Sequence, residues 1–219
     1  MIRVLLADDE TMIRAGVRAI LSADPGIEVV AEAGDGREAI ELTLAHRPDV
    51  ALLDIRMPRL DGLAAAAELR RTAPATGVVI LTTFGEDEYI ARALSDGASG
   101  FLLKSGDPHE LLAGVHAVAA GAAYLSPKVA HRVITELSGG RLEHGAEARR
   151  RTTTLTPRER QVLALVGAGL SNAEIATSLH VVEGTVKSYV SAILTRLEVR
   201  NRVQAAIIAY EAGLVNGTT

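Results

Sequence analysis

The stretch DVALLDIRMP, residues 49–58, sets four apolar residues between two acids and closes on a proline. A short apolar run bounded by polar residues reads as a strand buried on both faces, here Asp49–Leu53. Pro58 turns the chain away and leaves Asp54 at the strand's carboxyl edge. Outward from it, four similar runs recur: Ile2–Ala7 (IRVLLA), Ile27–Glu32 (IEVVAE), Val78–Thr82 (VVILT) and Gly100–Lys104 (GFLLK). Between them apolar residues fall at helical spacing, as in Ile13, Val17, Ile20 and Leu21, in Ala39, Ile40, Leu42 and Leu44, and in Leu111, Leu112, Val115 and Val118. The last of these opens on Asp107-Pro108-His109-Glu110, which offers a cap, a proline at the first helical position and a Glu placed for a capping box. Strand and helix alternate five times. The expected fold is α/β, an open, doubly wound parallel five-stranded sheet covered on both faces.

In such sheets ligands bind just beyond the carboxyl ends of the strands. Asp8 and Asp9 follow strand 1, Asp54 follows strand 3, Thr82 ends strand 4 and Lys104 ends strand 5. Three clustered carboxylates repel one another unless a cation neutralises them, and an all-oxygen set suits Mg²⁺ or Mn²⁺. A hydroxyl and an ammonium beside them supply donors for a bound phosphoryl group, the arrangement that phosphoryl transfer requires. Asp54 is the carboxylate best placed for attack on phosphorus. An isolated Asp after a strand more often caps the next turn, and Asp8-Asp9 fits a helix cap as well. The joint placement of these groups at one edge is what favours a site.

The chain has 219 residues, 48% of them hydrophobic, and a net charge of −4. That suffices for one large domain or two small ones, and a disordered chain is excluded. Cysteine is absent, which excludes disulfide scaffolds, thiolate metal sites and thiol catalysis. No apolar stretch approaches the ~20 residues that span a bilayer, so the expectation is a cytoplasmic protein with no membrane partner. The six histidines show no metal-ligand spacing and receive no role. A negative total speaks against a strongly basic nucleic-acid binder, but the charge is unevenly spread. Residues 1–125 carry −8, residues 126–151 carry +3 and residues 152–219 carry +1. The expected division is a phosphoacceptor domain over 1–122, a linker over 123–151 with one short helix at its start, and a second domain over 152–219.

From Leu155 onward strand signals vanish. Thr156-Pro157-Arg158-Glu159 and Ser171-Asn172-Ala173-Glu174 are capping boxes that each open a helix. A third helix, about Glu183–Leu197, and a fourth, about Asn201–Ala212, follow. Two short helices joined by a tight turn form the helix-turn-helix pattern. The third helix directs Val186, Val190, Ile193, Leu194 and Leu197 inward, which leaves Gly184, Lys187, Ser188, Ser191 and Thr195 on the other face. Such a stripe can approach base edges in a major groove, with Lys187 suited to guanine. An ordinary solvated face fits the same spacing equally well.

With these motifs in view, the first 120 residues or so resemble the receiver domain of two-component response regulators. LTPRE, GLSNAEIA and GTVKSYVSAILTRL make residues 152–214 similar to a LuxR-type helix-turn-helix, and the pair resembles the NarL/FixJ family. The resemblance implies a flavodoxin-like (βα)5 receiver followed by a small all-α domain. It implies that Asp54 takes a phosphoryl group from a sensor histidine kinase, with Mg²⁺ (or Mn²⁺) held by Asp9, Asp54 and the Arg56 carbonyl and, through water, by Asp8. Thr82 and Lys104 would bind phosphoryl oxygens and Phe101 would be the aromatic switch, driven inward on phosphorylation. Arg56 and Phe84 would flank the site. Thr185, Lys187, Ser188 and Ser191 would contact promoter DNA, with Arg196 and Arg200 as phosphate or surface contacts. The implied partners are the kinase, double-stranded DNA, a second copy of the chain on phosphorylation and RNA polymerase; the protein would be a regulator, not an enzyme. Phe101 stands where Tyr is commoner, Val182 where a Ser or Thr cap is usual and Tyr189 where His is usual. Two rivals are a magnesium phosphatase of the haloacid-dehalogenase type, whose D-x-D pattern fails at Arg56, and a regulator that works without phosphorylation.

Overall fold

The computed structural model describes residues 1–83, 98–126, 129–130 and 141–215. The chain divides into two compact units, residues 1–119 with 124–130, and residues 120–123 with 131–219.

The first unit contains β1 (Ile2–Ala7), α1 (Thr11–Ser22), β2 (Ile27–Ala33), α2 (Gly36–His46), β3 (Val50–Asp54), α3 (Gly62–Thr72), β4 (Gly77–Thr82), β5 (Gly100–Leu103), α4 (Pro108–Ala119) and β6 (Tyr124–Leu125). All strands are parallel, in the order β2-β1-β3-β4-β5-β6. Side chains alternate across the sheet. Val4, Leu6, Val50, Leu52, Val79, Leu81 and Leu102 pack with Val17, Leu21, Leu111, Val115 and Val118 of α1 and α4. Leu5, Leu53, Ile80 and Phe101, one residue out of phase, are also buried. Both faces are therefore dry, which is why these strands read as continuous apolar runs. The expected five strands are present, and β6 adds a sixth at the edge. Two residues are too few to show a period in the sequence; main-chain bonds from Tyr124 to Ser99 and from Ser126 to Phe101, each 3.1 Å, hold β6 in place.

The second unit contains α5 (Arg141–Thr152), α6 (Pro157–Gly167), α7 (Asn172–Leu179), α8 (Glu183–Arg196) and α9 (Arg202–Glu211). Both capping boxes expected in this unit form, at Thr156–Glu159 and Ser171–Glu174. The core joins Leu155, Val162, Leu163, Val166, Ile175, Val186, Ile193, Leu197, Ile208 and Ala209. Two stretches differ from the sequence reading. Tyr124–Leu125 belongs to the sheet rather than to a linker, and the stretch ending at 151 holds a 12-residue helix, α5. Its inward groups are small: Ala148 lies in the core, and a Cβ at Gly145 would sit 3.3 Å from the Glu211 carbonyl oxygen. Close packing of small residues leaves no apolar stripe, so periodicity could not announce the helix.

Candidate functional site

The parallel strands bring the chemistry-bearing residues to one edge of the sheet. β1 runs into Asp8 and Asp9, β3 and β4 end on Asp54 and Thr82, and Lys104 follows β5, its N–H donating to the Thr82 carbonyl at 2.7 Å. Lys104 Nζ lies 2.6 Å from Asp8 Oδ2 and 3.0 Å from Asp54 Oδ1. One carboxylate oxygen from each of Asp8, Asp9 and Asp54 falls within 4.8 Å of the others. Asp8 is wholly buried, Asp54 and Thr82 are each 6% exposed, and Asp9 faces solvent.

Burial raises the Asp54 carboxyl above its ordinary range, and the hydrogen bond and charge of Lys104 offset only part of that. Burial acts on Lys104 in the opposite sense, but Asp8 and Asp54 outweigh it and hold the ammonium above its usual value. Three carboxylates beside a single ammonium gather an excess of hard oxygen donors. That donor set fits a divalent cation such as Mg²⁺ or Mn²⁺. Arg56 follows in the loop after β3 between the buried Ile55 and Met57. Phe101 is wholly buried, its ring inside the sheet's core. Phenylalanine has no hydroxyl that needs a partner, so nothing draws the ring outward. Phe84 lies outside the described residues.

In the second unit α7 ends on His180 in the left-handed conformation, φ 54°, and the chain turns into α8. Lys187, Ser188, Ser191, Thr195 and Arg196 are exposed along α8, and with Ala192 they line a shallow depression. Lys187 pairs with Glu183 at 2.9 Å, an exposed contact of little energy. The Ser188 and Thr195 hydroxyls donate to the Gly184 and Ser191 carbonyls, each at 3.1 Å. Thr185 is half-buried in the first turn and Arg200 lies exposed beyond the helix end. Arg196 stands to one side of the stripe, 3.1 Å from the buried Glu159 carboxylate. Burial pushes the Glu159 carboxyl up, but hydrogen bonds from Thr156 and the charge of Arg196 bring it below its ordinary value. Val182, 72% exposed, makes no side-chain cap to α8, as its apolar side chain dictates. Tyr189 packs half-buried against the core.

Sequence reasoning missed two supports. Arg202, buried at the start of α9, donates to Asn172 Oδ1 at 2.8 Å and to the Leu170 carbonyl, bracing the turn before α7. Burial pushes its guanidinium down to about 10. Asp35 and Asp61, each followed by glycine, cap α2 and α3. The paired Asp-Gly signals at residues 35–36 and 61–62, each ahead of a helical pattern, would have found them.

The first unit is thus a parallel α/β domain with an acid-lysine cluster at its sheet edge, and the second a helical domain with two capped helices leading into an exposed polar helix face. Residues 4–116 match the response regulator receiver domain, and residues 153–209 match the bacterial regulatory proteins of the luxR family. The chain is 38% identical over 216 residues to the transcriptional regulatory protein LiaR of Bacillus subtilis, covering 99% of this chain and all of that one. It is 37% identical over 208 residues to the nitrate/nitrite response regulator NarL of Escherichia coli, covering 95% and 94%. Among solved structures, the response regulator ChrA of a heme-sensing two-component system shares 36% identity over 98% of both chains, with a TM-score of 0.54. The chain belongs to the response regulators that carry a receiver and a LuxR-type DNA-binding domain, and its relatives are transcriptional regulatory proteins.

Proposed function

We propose that Asp54 is the phosphoacceptor of a two-component pathway, and that its phosphorylation promotes dimerisation and promoter binding. The observation that carries this reading is the Lys104 ammonium bridging Asp8 and Asp54 at the sheet edge. An Asp54 carboxylate oxygen attacks the phosphorus of a sensor kinase's phosphohistidine; the P–N bond breaks and the imidazole nitrogen keeps the bonding pair. Lys104 and the Thr82 hydroxyl hold the phosphoryl oxygens as charge moves onto them. Mg²⁺, held by Asp9, Asp54, the Arg56 carbonyl and, through water, Asp8, would neutralise the remaining negative charge. Thr82 drawn toward the phosphoryl group reshapes the surface of the last βα units, and a second copy docks there.

On the output side Thr185, Lys187, Ser188 and Ser191 read base edges, and Arg196 and Arg200 stand by the flanking phosphates. With a net charge of only +1 over residues 152–219, one domain binds weakly, and a dimer on two half-sites raises the effective concentration of each. RNA polymerase is then the downstream partner. Among the described residues no helix is long and apolar enough to cross a membrane, which agrees with action in the cytoplasm. Arg56, two residues beyond Asp54, occupies the place of the second acid of a phosphatase D-x-D pattern, so no turnover of external substrate is assigned. The test is incubation with acetyl phosphate and Mg²⁺. Wild type should gain one acid-stable, base-labile phosphate and shift toward dimer in light scattering, and Asp54→Asn should do neither. Labelling that survives in Asp54→Asn, or multiple turnover of p-nitrophenyl phosphate, would overturn the reading.

A further inference from the structure

Residues 55–61, the loop that follows Asp54, carry the Arg56 carbonyl, and contacts outside the acidic cluster tie them down. At the far end the Gly62 N–H donates to the Ile55 carbonyl at 3.0 Å. A Cβ at Gly62 would sit 1.8 Å from the Asp54 carbonyl oxygen, so only glycine lets the loop close on the strand end. Midway, the Leu60 carbonyl accepts from the Gly36 N–H at 3.1 Å. A Cβ at Gly36 would come within 2.5 Å of that same oxygen. Beside this bond the Arg59 guanidinium pairs with the Asp35 carboxylate. Arg59 adopts φ 63°, a left-handed conformation that disfavours a non-glycine residue, so tertiary contacts must hold it.

Helix capping does not account for the whole of Asp35. Its Oδ1 accepts from the Arg37 and Glu38 amides at 2.8 and 3.1 Å, which is all that a cap requires. Its Oδ2, in a side chain with no solvent exposure, meets a guanidinium that is 66% exposed. The pair therefore runs from the interior of the β2–α2 corner to the surface of the loop after Asp54.

We propose that the Asp35–Arg59 pair and the Gly36–Leu60 bond form a clasp through which the β2–α2 corner positions loop 55–61 and so sets the affinity of the acidic cluster for its divalent cation. The inference rests on the reading of Asp8, Asp9, Asp54 and the Arg56 carbonyl as the cation site. Asp35 and Arg59 touch no reacting atom and are positioning residues. Mg²⁺ tolerates little departure from octahedral geometry, so a loop that wanders by a fraction of an ångström supplies its carbonyl poorly. The effect is that of an outer-shell partner.

The experiment is Mn²⁺ titration of the full chain by electron paramagnetic resonance, at a temperature where circular dichroism shows each protein folded. The proteins are wild type, Arg59→Gln, Arg59→Lys and Asp54→Asn. Arg59→Gln should weaken Mn²⁺ binding about tenfold, the low end for loss of an outer-shell partner, and Arg59→Lys should recover most of it. With acetyl phosphate as donor, the half-saturating Mg²⁺ of Arg59→Gln should rise while the rate at saturating Mg²⁺ stays near wild type. Equal Mn²⁺ affinity in wild type and both Arg59 variants sinks the clasp and leaves the cation site standing. A lower melting temperature in Arg59→Gln with unchanged Mn²⁺ affinity also sinks it, because that is a purely structural role. If wild type binds no Mn²⁺, or Asp54→Asn binds it as wild type does, the reading of the site itself fails and the clasp with it.

Discussion

The first unit gathers its decisive polar groups in a buried cluster, whereas the second spreads them along an exposed helix face. Asp8, Asp54 and Lys104 are nearly inaccessible, and buried charges cost free energy unless they are paired or serve a ligand. Their presence at strand ends is therefore informative. Lys187, Ser188, Ser191 and Thr195 are exposed, where polar residues cost nothing and carry little information. The difference teaches that a functional site is legible in proportion to the stability that its residues forgo.

The largest expected effect separates the units. Leu163, wholly buried in the second core, should cost about 2–5 kcal/mol as Leu163→Ala. Melting by circular dichroism should show the loss of helix while acetyl phosphate still labels Asp54; loss of labelling would mean the two regions do not act separately. Next, Lys187→Gln should cost about 1–3 kcal/mol of affinity for a duplex selected from a random library and relax the preference at one base pair. Uniform weakening across sequences would move Lys187 from the bases to the phosphates.

Asp54→Asn tests the stability argument directly. The raised Asp54 value means that its contribution to stability is full below the unfolded pKa and is lost as pH rises through the folded one. At neutral pH the charged carboxylate is a net cost, so Asp54→Asn should raise stability by about 1 kcal/mol. Its gain over wild type in urea melts should shrink as pH falls from the raised folded value toward the ordinary carboxylate range, and vanish below that range; a destabilised Asp54→Asn would break the contrast. The smallest effect lies at α8, where Val182→Ser supplies the missing cap and should add about 1 kcal/mol. An unchanged melting temperature would show that the exposed Val182 side chain is already compensated.

Much of the fold was legible because apolar runs alternate with helical spacing, and strand bounds differ by only a residue or so from those expected. β6 and α5 were hidden for opposite reasons. One is too short to show a period, and the other packs through Gly145 and Ala148, which leave no stripe. Asp8, Asp9, Asp54, Thr82 and Lys104 could be picked out because each ends or follows a strand, and parallel strands share a carboxyl edge. Arg59 and Asp35 lie 24 residues apart with no common periodicity, so their pairing could not be read from spacing.

By itself, then, the order of residues determined the alternation of strand and helix, the capping boxes and the identity of the acids at the sheet edge. These depend on local sterics and on apolar period, which act over a few residues. Only the tertiary structure decided that Lys104 spans Asp8 and Asp54, that the Phe101 ring lies inward, that Arg196 answers Glu159 and that Arg59 clasps Asp35. Those outcomes depend on which side chains lose water together when distant segments pack, and no local pattern encodes that.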